Sequence, residues 1–158
     1  MLWPGSTAVT VGQPSRPLVA SVSGGKDSTA MALWLLEQGL EFEPVFVDTG
    51  WEHSATYEYI VGPLSAAIGE ITWLRAERQM EALVRQKAMF PSHRRRFCTS
   101  ELKLRPFEQH LLAAYPDGGA INVVGIRAAE SRARAGLPRW SNEDGMLSFV
   151  DTWRPLID

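Results

Sequence analysis

The chain has 158 residues, 45% apolar and 22% charged, with a formal net charge of −2, the make-up of one globular domain long enough to bury a core. So slight an acidic balance argues against a general polyanion binder, although local patches stay open, and no apolar run approaches the roughly 20 residues of a membrane helix. The one cysteine, Cys98, excludes an internal disulfide and fits a reducing, cytoplasmic setting. Residues 1–16 are rich in Pro, Gly and Ser and lack the basic-then-apolar order of a signal peptide, so they read as a loose arm before a domain over 17–158. A strand is expected at about Leu18–Val22, then a helix over about Asp27–Glu37 that Gly39 stops. Strand two, about Glu43–Val47, ends at Asp48-Thr49-Gly50. Tyr57, Ile60, Val61, Leu64 and Ile68 then recur at helical spacing. Gly62-Pro63 lies inside that segment, and the proline predicts a kink or break because it removes a helical hydrogen bond. Strand three, about Glu70–Leu74, precedes a helix carrying Met80, Leu83 and Val84. A further helical stretch covers about Ser100–Tyr115, with Pro106 as a second irregularity. Strands four and five fall at about Ala120–Val124 and Leu147–Asp151. Strands separated by helices imply parallel pairing and right-handed crossovers, hence an α/β fold with a doubly wound, mostly parallel five-stranded sheet. Ligands of such sheets sit beyond the carboxyl ends of the strands, at the switch point.

The unusual residues cluster at those ends. Ser23-Gly24-Gly25-Lys26-Asp27-Ser28-Thr29 joins strand one to its helix. The first N–H groups of a helix lack internal partners and carry the positive end of its dipole. Glycines let that backbone close round an anion, and Lys26 adds a full charge, so the segment reads as a phosphate cradle. It is not a Walker loop, which needs glycine where Ala20 stands and Ser or Thr where Asp27 stands. Nor is it a dinucleotide fingerprint, because the third glycine is missing. A plain glycine turn before a helix explains the glycines but not Ser23, Lys26, Asp27 and Ser28 together.

Asp48 suits a ribose or a metal-bridged phosphate, or caps the next turn, while Thr49 and Gly50 let the backbone pass close to a base. Strand four ends in Gly125-Ile126-Arg127, with Arg132 and Arg134 following. Guanidinium groups bind phosphate or sulfate bidentately, so Arg127 is expected to point into the crevice as a second anion site. Arg132 and Arg134 fit that site or a solvated face equally. Arg94-Arg95-Arg96 reads as a solvated basic patch or as a cover for an anionic substrate. Cys98 beside it is either a buried thiol or a nucleophile activated by arginines and a helix start. His53, His93 and His110 lack metal-ligand spacing, so no zinc is expected, and one thiol cannot build an iron–sulfur cluster.

S-G-G-K-D-S-T resembles the PP-loop of the ATP pyrophosphatases. With V-D-T-G-W-E, C-T-S-E-L-K-x-x-P and G-I-R-A-A-E-S-R-A-R in this order, residues 17–158 resemble the phosphoadenosine phosphosulfate reductase family of adenine nucleotide α-hydrolase-like proteins. The small subunit of sulfate adenylyltransferase belongs to the same group. The resemblance implies binding of ATP with Mg2+, cleavage between the α and β phosphates, and adenylylation of an anionic acceptor. Sulfate or a nucleic-acid modification intermediate would serve, in sulfur metabolism or nucleic-acid modification. Ser23, Gly24, Gly25 and Ser28 would hold the pyrophosphate and Lys26 would neutralise its charge. Thr29, Thr49, Gly125 and Arg132 would complete the nucleotide contacts. Asp27 or Asp48 would be the magnesium ligand, and Arg127 would grip the acceptor oxyanion or the α-phosphate. Nucleic acid stays open as a partner, and a membrane is not expected. Reductases of the family generally degrade this loop and carry a reactive cysteine in a C-terminal tail, whereas here the loop is intact and Cys98 stands alone. Two alternatives therefore stand beside adenylyl transfer: a phosphosulfate reductase domain without its cysteine tail, and a non-catalytic nucleotide-binding subunit beside a larger partner. Family members usually continue with another helix after Trp153-Arg154-Pro155-Leu156-Ile157-Asp158, so truncation at the C-terminus is a further expectation.

Overall fold

Strand β1 (Leu18–Ser21) is apolar and buried along most of its length because helices cover both its faces. The computed structural model describes residues 12–92, 94–117, 119–142 and 150–157. After β1 come α1 (Lys26–Glu37), β2 (Phe42–Asp48), α2 (Ser54–Tyr59), a π turn (Ile60–Leu64), α3 (Ser65–Ile68), β3 (Thr72–Arg75) and α4 (Met80–Lys87). A second π turn (Cys98–Leu104) leads into α5 (Arg105–Ala114), followed by β4 (Ile121–Val124), a 3₁₀ turn (Ala128–Glu130), α6 (Arg132–Ala135), β5 (Trp140–Ser141) and β6 (Asp151–Trp153).

The strands lie in the order β3-β2-β1-β4-β6-β5. All pairings are parallel except β5 with β6. The doubly wound α/β sheet is thus as expected, but it has six strands rather than five. The additional strand, β5, spans two residues and pairs Trp140 with Trp153, too short for any alternation to register in sequence. Of the strand expected at about Leu147–Asp151, residues 147–149 lie outside the described residues, and the strand observed there begins at Asp151.

Side chains alternate across a strand, so the sheet buries two layers. Leu18, Ala20, Ile121, Val123 and Trp153 pack with Met31 and Leu35 of α1. Val19 and Val45 pack with Phe107 and Leu111 of α5 on the opposite face. Ile60, Leu64 and Ile68 close a third cluster over Val22 and Phe46. Gly39 stops α1 as expected: at φ 70° it lies in the left-handed region, and the Gly39 and Leu40 N–H groups donate to the Leu36 and Leu35 carbonyls. The irregularity at Gly62-Pro63 takes the form of the first π turn, a wide turn that absorbs the N–H missing from Pro63. The second precedes Pro106, which sits in the first turn of α5 where no helical donor is needed.

The last residues of the expected loose arm are tied down. The Gln13 side chain brackets the Glu41 backbone (3.2 and 2.8 Å), Arg16 ion-pairs with Asp151, and the Ile121 N–H donates to the Pro17 carbonyl at 2.8 Å. Residues 1–11 lie outside the described residues.

Candidate functional site

The chain winds outward from β1 through β2 to β3, then returns to the other side of β1 as β4. The switch point therefore lies between β1 and β4, and there a cleft of about 640 Å³ opens beyond the carboxyl ends of β2, β1 and β4. That volume suits a nucleotide-sized ligand. Ser23, Gly24, Gly25 and Ser28 line one side, Val45–Val47 and Val124 the floor, and Lys103, Leu104 and Phe107 the opposite wall.

The loop holds its shape through its serines. The Ser23 N–H donates to Ser28 Oγ at 3.1 Å, the two hydroxyls lie 3.1 Å apart, and the Ser28 hydroxyl donates to the Gly25 carbonyl at 3.0 Å. Ser28 is buried, so it braces the loop from within. Gly24 adopts φ 72° and lies so close to α2 and the first π turn that a Cβ would meet Thr56 and Ile60 at 3.2 and 3.3 Å. Gly25 is the N-cap of α1 and supplies no side-chain acceptor to the first turn. The orphan N–H groups of a twelve-residue helix thus face outward, with the exposed Lys26 beside them. Thr29 Oγ1 is buried and has no hydrogen-bond partner.

Gly125 marks a close approach. A Cβ there would stand 2.5 Å from the Asp27 carbonyl oxygen and 2.8 Å from Ser28 Cα. The end of β4 therefore lies directly on the first turn of α1. Two residues on, Arg127 grips Asp27: Nε sits 2.7 Å from Oδ1 and Nη2 donates to Oδ2 at 3.2 Å. The Arg127 guanidinium thus faces a carboxylate at the first turn of α1 and, like Lys26 and Asp27, lies outside the cleft lining; it is not the unpaired anion ligand that was expected. The arginine that does line it is Arg134, which pairs with Glu130 one helical turn back. The backbone N–H of Arg127 and the Arg134 side chain hold the Glu130 carboxyl below its usual value. Arg132 is exposed and lies outside the cleft lining.

Asp48 is also spent. It is 1% exposed; Oδ1 accepts from the Gly50 N–H and the Tyr57 hydroxyl, both at 2.7 Å, and Oδ2 accepts from Arg75 Nε at 3.0 Å. Burial by itself would raise its pKa, but Tyr57, Gly50 and Arg75 outweigh burial and lower it. Burial and this same hydrogen bond raise the Tyr57 hydroxyl. Thr49 is buried, with its hydroxyl on Glu52 at 2.9 Å. Magnesium needs free oxygen ligands. Asp48 offers none, since each of its oxygens already takes two donors, whereas each Asp27 oxygen takes one Arg127 contact and keeps a lone pair. Among the described residues no three His, Cys, Asp or Glu side chains converge. Of the two expected magnesium ligands, Asp27 is therefore the one that would hold an ion brought in by phosphates.

The Cys98 thiol is half-buried at the start of the second π turn and does not line the cleft. His53 caps α2, accepting from the Ala55 N–H at 3.1 Å, and His110 pairs with Glu43 at 3.0 Å; His93 lies outside the described residues. Glu52 and Lys103, which stand inside the V-D-T-G-W-E and C-T-S-E-L-K motifs, and Asn122 also line the cleft, though sequence alone assigns them no role. Lys103 and Glu52 face each other at 3.8 Å. Asn122 is 3% exposed; its Nδ2 reaches Thr152 Oγ1 at 3.3 Å while Oδ1 has no partner. Its signal was a lone amide inside the apolar run Ile121-Asn122-Val123-Val124.

A parallel sheet with an uncapped glycine-rich helix start at its switch point defines a nucleotide-binding α/β fold. The family model described as phosphoadenosine phosphosulfate reductase domain matches residues 17–158, and the chain belongs to that family. It is 30% identical to a 37.8 kDa protein of Escherichia phage 186, covering 89% of this chain and 56% of that protein. It is 31% identical to a protein of Methanocaldococcus jannaschii, covering 76% of this chain and 25% of that protein. The chain thus spans about half or less of these curated relatives. Among solved structures, the phosphate complex of phosphoadenylyl-sulfate reductase from Candida auris superposes with a TM-score of 0.62 at 17% identity, covering 94% of this chain and 68% of that one. This likeness carries the fold. Among the described residues no helix is long and apolar enough to cross a membrane.

Proposed function

We propose that the chain binds ATP in the switch-point cleft and transfers its adenylyl group to an anionic acceptor, releasing pyrophosphate. The observation that carries this reading is the first turn of α1: Gly25 leaves it uncapped, and Lys26 stands beside it. In the reaction an acceptor oxygen attacks the α-phosphorus, and the bond to the bridging oxygen breaks. Pyrophosphate leaves with the electron pair. Charge then grows on the leaving group, where helix N–H groups and Lys26 stabilise it. Asp27 would repel that charge, and Arg127 neutralises it through the two-pronged contact. An acceptor that is already an anion needs no general base. Lys103 also lines the cleft, with its charge offset by Glu52 at 3.8 Å.

Phosphosulfate reduction is the reading to which the family's name points. It needs an attacking thiol, and Cys98 opens the turn whose Lys103 and Leu104 line the cleft. Pyrophosphate release from ATP across a panel of anionic acceptors tests the first reading, and thioredoxin-dependent sulfite release tests the second. Calorimetry on Lys26→Ala tests the loop. ATP binding should weaken by about 1.5–3 kcal/mol, as for a hydrogen bond to a charged group, with AMP affected far less. Equal loss for both nucleotides would overturn the assignment.

A further inference from the structure

Beside the cleft lies a feature that the nucleotide site does not use. Trp51 and Phe90 are 56% and 66% exposed, yet their rings stack with centroids 6.0 Å apart and planes 9° from parallel. Arg94, Arg95 and Arg96 follow closely, all exposed. Among the described residues no carboxylate pairs with any of the three. Ser92 and Arg95 exchange backbone hydrogen bonds of 3.2 and 3.1 Å. The Arg95 guanidinium reaches back to Met89 Sδ at 3.5 Å, which fastens the basic run to the residue before Phe90. The ledge is continuous in sequence with two cleft residues. Trp51 adjoins Glu52, and Arg94–Arg96 run into the turn that carries Lys103.

We propose that this ledge binds a single-stranded nucleic acid, its bases against the Trp51–Phe90 stack and its phosphates against Arg94–Arg96. Every base has a π face that stacks on an aromatic ring regardless of sequence, and arginine forks match phosphate oxygens. A duplex hides those faces within its own stack, so the aromatic pair selects for single strands. Three unpaired cations on a chain of net charge −2 make a local patch that complements a phosphate backbone. The binding does not depend on the adenylyl-transfer reading.

The test is fluorescence anisotropy of the full chain with labelled single strands of about 12 nucleotides, DNA and RNA in separate arms, against a duplex of the same length across a salt series. Single strands should bind more tightly than the duplex. Trp51→Ala and Phe90→Ala should each weaken them about tenfold, the effect of removing one stacked base contact. Changing Arg94, Arg95 and Arg96 together to Gln should lower the log–log salt slope by about 2, near 0.7 for each lost phosphate contact. Thermal melting of each variant separates lost binding from lost fold. The proposal is overturned if no strand binds at low salt, if the duplex binds as tightly, or if the aromatic variants bind like the parent. ATP titrations on the same samples keep the two readings apart. A chain that binds ATP but no strand refutes the ledge alone, and one that binds strands but no ATP refutes the cleft assignment alone.

Discussion

Asp48 shows how one buried carboxylate is committed. Its partners hold its pKa below the ordinary value despite burial. A carboxyl whose folded pKa is depressed contributes stability above its unfolded value, near 3.9, and that contribution fades as pH falls through the folded pKa. Urea denaturation should therefore show the parent losing stability below about pH 4. Asp48→Asn should cost about 1.5–3 kcal/mol at pH 7, the worth of hydrogen bonds to a charged group, and should show a smaller acid loss. An acid profile identical to the parent's would remove Asp48 from the titration. Arg127 and Asp27 make a second case. Arg127→Ala should weaken ATP by leaving a bare carboxylate at the proposed phosphate seat, and Asp27→Asn in that background should restore part of the loss. The coupling from a double-mutant cycle should be on the order of 1 kcal/mol, kept small by the partial exposure of Arg127. Additive effects on ATP affinity would mean that the pair does not act on the nucleotide.

Among the structural elements, the contact of β4 with α1 decides the shape of the loop. At Gly125 an added methyl would meet backbone, whereas at Gly50 it would meet the Gln79 side chain, first at its amide oxygen, 2.4 Å away. Side chains rotate away; the first turn of a helix does not. Gly125→Ala should push α1 and the phosphate loop off β4, at about 1–3 kcal/mol of stability as for other overpacked sites. ATP affinity should fall more than that stability loss would suggest, because the displaced N–H groups are the ones proposed to hold the anion. Calorimetry beside chemical denaturation checks this, and unchanged ATP binding would show that the contact is not needed for the seat.

The molecule as a whole is closed at one edge by aromatic packing. Trp153 of β6 meets Trp34 of α1 edge-on at 5.7 Å and stacks on Trp140 of β5 at 5.2 Å. That stack joins the late strands to the first helix. Trp153 is 3% exposed, and Trp153→Ala should lower the unfolding free energy by about 3–5 kcal/mol. Near-UV circular dichroism and urea titration would register the loss. A drop below 1 kcal/mol would mean that the edge strands are not part of the cooperative unit.

Much of this was legible in the chain because it is local. Strand, glycine turn and helix start are contiguous between Leu18 and Glu37, and apolar runs and helical spacing mark the other main elements. The turn irregularities followed from prolines. The pairings did not follow. Arg127 looked like a free anion ligand until folding set it against Asp27, 100 residues earlier. Asp48 looked like a metal ligand until Arg75 and Tyr57 were seen to saturate it. Which side chain an arginine meets depends on strand order and on which ends share an edge of the sheet, and residue spacing does not encode either. Asn122 likewise read as an oddity in an apolar run, and only its place on β4 puts it at the cleft floor. Local backbone chemistry is written in neighbouring residues, whereas the spending of each charge is settled by the segments that the fold brings beside it.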